Sequence, residues 1–221
     1  MNKDPMKLVD VLKRDLRNKA EFAGATVLDK LGASLPTRRP YDSAVANGFL
    51  AAGDAAGHVN PTTGGGIPGA AFAGHRAARR AVEAIADGDV SEAALWGYNR
   101  DVMTDFGKEF AAVDLYNVWG GAHDVDELTD VVGALPGQQL ADALSSGESS
   151  MSLRLKLRTL ARTVGHWDTL YEEYKVSKRA RSLKEHYLAY PERPDAFETW
   201  QSTRDAIMDE VYAISGADPK Y

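Results

Sequence analysis

The 221-residue chain contains no cysteine. Disulfides, thiolate nucleophiles, Cys-ligated zinc and Cys-ligated iron–sulfur clusters are therefore excluded. No uninterrupted apolar run reaches the roughly 18 residues that a transmembrane helix needs. The opening Met1-Asn2-Lys3-Asp4-Pro5 lacks the pattern of a secretory leader, so a cytoplasmic location is expected. The five histidines, His58, His75, His123, His166 and His186, fall at no spacing typical of metal ligands, and none has a Ser-His-Asp context. A metal centre and a hydrolytic triad are thus not expected. With 26 basic against 32 acidic residues and no nucleic-acid motif, the chain is not expected to bind nucleic acid. There is no internal repeat.

The residues present describe an ordinary globular protein, 44% apolar and 26% charged, large enough for one domain or somewhat more. The informative stretch runs from Phe49 to Gly74. A short apolar run, Phe49-Leu50-Ala51-Ala52, reads as a strand buried on both faces and ends in Gly53-Asp54. A loop follows in which His58, Asn60, Pro61, Thr62 and Thr63 lead to Gly64-Gly65-Gly66. From about Gly66 to Ala86 comes a helix made largely of Ala and Gly, able to pack closely on a sheet or a cofactor. A carboxylate at a strand end can accept a hydrogen bond from a sugar or ribityl hydroxyl. Glycines leave backbone N–H groups open to a phosphate or a ring edge, and the helix start adds the positive end of its dipole. This order of parts suits a nucleotide cofactor.

The wording Gly53-Asp54-Ala55-Ala56-Gly57-His58-Val59-Asn60-Pro61-Thr62-Thr63-Gly64-Gly65-Gly66-Ile67-Pro68-Gly69 resembles the second FAD-binding motif of the geranylgeranyl reductase family, above all its archaeal digeranylgeranylglycerophospholipid reductase branch. The resemblance is strong over about residues 31–86 and weak elsewhere. It implies a FAD-dependent oxidoreductase that reduces C=C bonds of isoprenoid lipids in archaeal membrane lipid biosynthesis. It also implies that Gly53, Asp54, Pro61, Gly64, Gly65, Gly66 and Ile67 hold FAD, with Asp54 at the ribityl chain and the Pro61–Ile67 segment against the isoalloxazine. No catalytic side chain or electron donor is assigned. Nothing before Phe49 supplies the G-x-G-x-x-G strand–helix unit that would hold the ADP half of FAD. The expected fold is therefore α/β, the C-terminal part of a Rossmann-type FAD domain over residues 1–86, followed by a mainly α-helical region over 87–221. The missing N-terminal half would belong to the same or a separate chain, and the isolated chain is expected to be inactive. The alternatives are a FAD-dependent hydroxylase of the same fold and a non-catalytic helical module keeping a relic flavin loop.

Elsewhere, Asp4-Pro5 opens a helix to about Ala20, with a basic face of Lys7, Lys13, Arg14 and Arg17. Residues 25–31 read as a strand. Arg38 and Arg39 stand in a loop where they can meet a phosphate. Asn47-Gly48 signals a turn. Ser91 caps a long helix with Ala94, Leu95, Tyr98, Val102, Phe106, Phe110, Val113 and Tyr116 on one stripe, bending near Gly107. Shorter helices are expected over 124–135 and 137–144, then a polar linker over 145–150. Residues 151–157 alternate at period two, but a helix through Val164 is preferred. Two last helices span 168–189 and 195–214. Residues 87–148 carry a net charge of −11 and residues 151–186 a net +5. The basic segment with its aromatics is a candidate for peripheral contact with an anionic membrane.

Overall fold

The computed structural model describes residues 5–26, 28–29, 35–134 and 167–219. The chain divides into two compact units, Met1–Ser34 and Leu35–Tyr221. The first contains helix α1 (Pro5–Arg17) and a single 3₁₀ turn (Ala20–Phe22). Of the strand expected over 25–31, residues 25, 26, 28 and 29 are described, and none is in a strand. The proposed cap Asp4 lies outside the described residues, as do the expected elements over 137–164.

The second unit begins with a small hairpin, β1 (Val45–Ala46) and β2 (Phe49–Leu50), antiparallel with Val45 opposite Leu50. Asn47-Gly48 makes its turn, as the sequence signals, and Gly48 takes φ +68° there. The expectation of a buried strand over Phe49–Ala52 fails. The strand is two residues long, Phe49 is 58% exposed, and these two strands form the whole sheet among the described residues. A double-faced apolar strand needs neighbours on both sides, and here Leu50 and Ala51 meet helix instead. The Tyr98 hydroxyl donates to the Ala51 carbonyl at 2.7 Å, and Asn99 Oδ1 accepts the Ala44 N–H at 2.9 Å.

Helix α2 (Ile67–Asp87) matches the expected Ala/Gly helix. Ser91 then caps α3 (Glu92–Leu95), its hydroxyl accepting the Ala94 N–H at 3.3 Å. Helix α4 (Gly97–Val102), a π-turn (Met103–Gly107) and α5 (Lys108–Ala122) continue almost without a break. One buried row is Leu95, Asn99, Met103, Gly107, Ala111, Leu115 and Trp119, a strict step of four, with Trp96, Tyr98, Val102, Asp114 and Val118 buried beside it. An α-helix advances one turn in 3.6 residues, so such a row would spiral off the core. The π-turn, with its longer repeat, takes up about one residue of that drift. This corrects the expected stripe: Leu95, Tyr98 and Val102 are buried, but beyond the π-turn the inward face lies one residue later than Phe110 and Val113, and Tyr116 is exposed.

Helix α6 (Val125–Ala134) follows, with Asp124 Oδ1 accepting the Asp126 N–H at 2.8 Å. Helices α7 (Trp167–Leu188) and α8 (Phe197–Ser215) pack with α5 into a bundle. Their inward rows, Val176, Ala180, Leu183 and Tyr187 on α7 and Trp200, Arg204, Met208 and Val211 on α8, step by three and four. An aromatic cluster of Trp96, Tyr190, Phe197 and Trp200 closes one end, with Trp96 and Tyr190 stacked at 5.8 Å.

Candidate functional site: the glycine loop at the start of α2

The chain leaves β2 in extended form and turns at Gly53–Ala56, one 3₁₀ turn that Gly57 ends at φ +69°. Gly53 is itself at φ +67°, and a Cβ there would meet the Ala70 methyl at 3.3 Å. His58 fastens the turn. Its Nδ1 accepts the Gly53 N–H at 3.1 Å, while its own N–H donates to the Gly53 carbonyl at 3.0 Å. The ring is fully buried, edge-on to Phe106 at 5.3 Å, and burial pushes its pKa down to about 4. His58 is thus a neutral structural residue within the loop.

Residues 60–66 form a knot around Asn60. Its Oδ1 accepts the N–H groups of Thr62 and Thr63 at 3.0 and 3.1 Å, its carbonyl accepts that of Gly64 at 2.9 Å, and its N–H donates to Gly65 at 3.0 Å. Pro61 is buried beneath. Gly64 supplies the left-handed residue, φ +69°, that closes the ring. The Gly65 N–H donates to Thr63 Oγ1 at 3.2 Å.

The seven residues expected at a cofactor, Gly53, Asp54, Pro61, Gly64, Gly65, Gly66 and Ile67, are thereby brought into one loop at the N-terminus of α2. Asp54 is exposed, and its carboxylate lies against Gly66: a Cβ on Gly66 would sit 2.7 Å from Asp54 Oδ1. Among the described residues nothing donates to that carboxylate, and no side chain caps α2, whose first residue Ile67 is 84% exposed. A charged acceptor thus stands beside an open helix N-terminus, which offers unpaired N–H donors and a positive dipole end.

Gly69 was not singled out from the sequence, yet it is the most tightly constrained glycine of the loop. A Cβ there would come within 2.6 Å of the His58 carbonyl oxygen. The signal was present, because Gly64, Gly66 and Gly69 together read G-x-G-x-x-G, in which the third glycine serves close packing.

Arg38 and Arg39 do not wait for a phosphate. Arg38 Nε donates to the fully buried Asp114 at 2.6 Å, and its Nη2 to the Tyr212 hydroxyl at 3.2 Å. Arg39 donates to Asp42 at 2.6 Å. Asp42 also accepts from Arg204 and from Gln201, while its carbonyl accepts from the Tyr190 hydroxyl. Burial alone would raise the Asp42 pKa, but Arg39 and Arg204 hold it below the ordinary carboxylate value. These pairs tie the loop before the hairpin to α5 and α8. Among the described residues no group of three His, Asp or Glu side chains is placed to hold a metal ion. No helix among them is long and apolar enough to cross a membrane. Three open grooves of about 420, 570 and 410 Å³ lie along the helical bundle, and none of the three is lined by the glycine loop.

No family model matches the chain. Individual relatives do. A digeranylgeranylglycerophospholipid reductase of Sulfolobus acidocaldarius is 28% identical over 186 residues, covering 83% of this chain and 41% of the relative. One of Methanococcoides burtonii is 38% identical over 92 residues, 42% of this chain and 22% of the relative, and one of Methanoculleus marisnigri 40% identical over 80 residues, 36% and 20%. The chain therefore spans less than half the length of these relatives. Over most of its own length it is similar to a C-terminal portion of the digeranylgeranylglycerophospholipid reductases.

Proposed function

We propose that this chain is the part of a FAD-dependent reductase that holds the flavin end of the cofactor while C=C bonds of isoprenoid lipids are saturated. The observation that carries the reading is the exposed Asp54 carboxylate against Gly66 at the uncapped start of α2. It lies in the stretch that resembles the family's second FAD motif, in a chain similar to enzymes named digeranylgeranylglycerophospholipid reductase.

The residues present suit FAD. Asp54 would accept a hydroxyl hydrogen bond from the ribityl chain. Gly66 and Ile67 would offer backbone N–H groups to the ring system, Gly64 and Gly65, whose N–H groups are bonded within the loop, would let the ring approach closely, and buried Pro61 would fix the floor of the loop. When bound and reduced, FAD supplies the hydride that, together with a proton, saturates a C=C bond. The chain's own residues would orient the cofactor and keep water from the reacting face. The division at residues 86 and 87, between flavin-holding and helical parts, belongs to the same proposal.

A lipid substrate has to be drawn from a membrane. On α7, Trp167, Tyr171 and Tyr174 are 48%, 59% and 51% exposed at helical spacing, with Lys175 and Lys178 lying over the two tyrosine rings at 4.3 and 4.6 Å. Aromatic rings with lysines suit a membrane interface, and we assign this face to peripheral contact with it. The decisive experiment uses the complete protein. Purified material should carry visible flavin absorbance, and reduced flavin should add two hydrogens per double bond to a geranylgeranyl lipid, read by mass spectrometry. Complete protein free of flavin, or flavin-loaded protein without prenyl reduction, would refute the two halves of the reading separately.

A further inference from the structure

Helix α2 is buried on one side only. Gly69, Ala73 and Ala84 face the unit, whereas Ile67, Ala71, Ala78, Val82 and Ile85, with His75 among them, line the opposite side and are all exposed. Ile67 is 84%, Val82 68% and Ile85 69% exposed. Single exposed apolar residues are common, but a stripe following a 21-residue helix for about 30 Å is a surface prepared for a partner. Its small residues, Ala71 and Ala78, suit a flat, closely approaching surface such as the face of a sheet.

Two further observations say what that partner is. The relatives extend far beyond the matched region, since this chain covers 41%, 22% and 20% of the three compared above. In addition, α2 starts at the loop proposed to hold the flavin end of FAD, so whatever holds the other end must sit beside the same helix. We infer that the Ile67–Ile85 stripe is the seam on which the remaining, dinucleotide-binding part of the reductase docks. The inference rests on the relationship to the reductases and on the placement of FAD at the loop, but its test reads docking and flavin separately.

The absence of cysteine makes the test clean. Val82→Cys and Ile85→Cys each place one thiol on the stripe, and Leu188→Cys, at a residue 52% exposed on α7, serves as control. Labelling rates are compared between the isolated chain and a complete protein made by substituting this chain for the matched region of the S. acidocaldarius relative. Mass spectrometry of the labelled peptides excludes thiols from elsewhere. At both stripe positions labelling should slow by at least about 100-fold in the complete protein, as for a group released only by local opening, while the control stays fast. Cysteine at the position of the S. acidocaldarius relative aligned with Val82, in that unaltered protein, gives the same reading if the graft does not fold. Fast labelling at Val82→Cys in the complete protein overturns the inference. So does protection already present in the isolated chain, whether sedimentation shows a dimer, meaning a second copy covers the stripe, or a monomer, meaning another segment of the chain does. Flavin absorbance of the same samples separates the two readings: protected thiols without flavin keep the seam and remove the flavin site.

Discussion

At the scale of single residues, two glycines of the loop meet different obstacles. A methyl on Gly69 runs into the His58 carbonyl, which belongs to backbone and cannot swing aside. Gly69→Ala should therefore destabilise the fold by about 1–3 kcal/mol, seen as a fall of several degrees in Tm. A methyl on Gly66 meets the end of the exposed Asp54 side chain, which can move. Gly66→Ala should leave Tm nearly unchanged yet weaken flavin binding in the complete protein, by displacing that carboxylate. Asp54→Ala should do the same through loss of a charge-assisted hydrogen bond, on the order of 1.5–3 kcal/mol in a flavin titration. If Gly66→Ala melts like Gly69→Ala, the contact between Asp54 and Gly66 serves packing alone. His58 bears on pH. Its folded pKa is pushed down to about 4 from the ordinary 6.5 by burial, so the unfolded chain takes up a proton that the folded chain refuses. This contribution is complete above about pH 6.5 and is lost as pH falls towards 4, on the order of 3 kcal/mol in all. Urea midpoints followed down that window should fall less steeply for His58→Gln than for the unsubstituted chain.

At the scale of elements, the pair between the loop before β1 and α5 is lopsided. The Asp114 side chain is fully buried, whereas that of Arg38 is 35% exposed. Arg38→Met strands a carboxylate in the core and should cost about 3–5 kcal/mol. Asp114→Asn leaves an arginine that can turn to water, and should cost distinctly less. Equal losses in denaturant unfolding would show that solvent reaches Asp114 after all. The same elements show what could be read in advance. Helix α2 was legible because alanine recurs along the whole stretch from Pro68 to the Gly88 cap with no proline between them, and the α7 and α8 boundaries because prolines divide them. That Gly53, Asp54 and the residues from Pro61 to Ile67 share one loop at the start of a helix was legible because their order in the sequence is specific. The roles of Arg38 and Arg39 were not, since their partners Asp114 and Asp42 are set by tertiary packing. The inward face of α5 was missed because a π-turn shifts the phase by about one residue, and Met103–Gly107 carries no local mark of it beyond a glycine. The two-residue β2 was overread because an apolar run looks the same whether strands or helices cover it.

At the scale of the whole molecule, the described sheet has two strands and no dinucleotide-binding unit, so the ADP half of FAD would find no holder among these residues. The isolated chain should bind FAD more weakly than about 1 μM, short of roughly −8 kcal/mol, in equilibrium dialysis. Tighter binding would mean that the loop holds the cofactor unaided. The Asn60 knot adds a thermodynamic consequence. Every turn of that loop is already closed by hydrogen bonds among its own residues before any ligand arrives. Association of the flavin end should therefore proceed without a penalty for freezing the segment, and calorimetry on the complete protein should show a correspondingly small unfavourable entropy. Asn60→Ala removes the acceptor of two N–H groups and sets the segment loose. Affinity should then fall through the entropic component with little change in enthalpy, although Asn60 itself need never touch the cofactor.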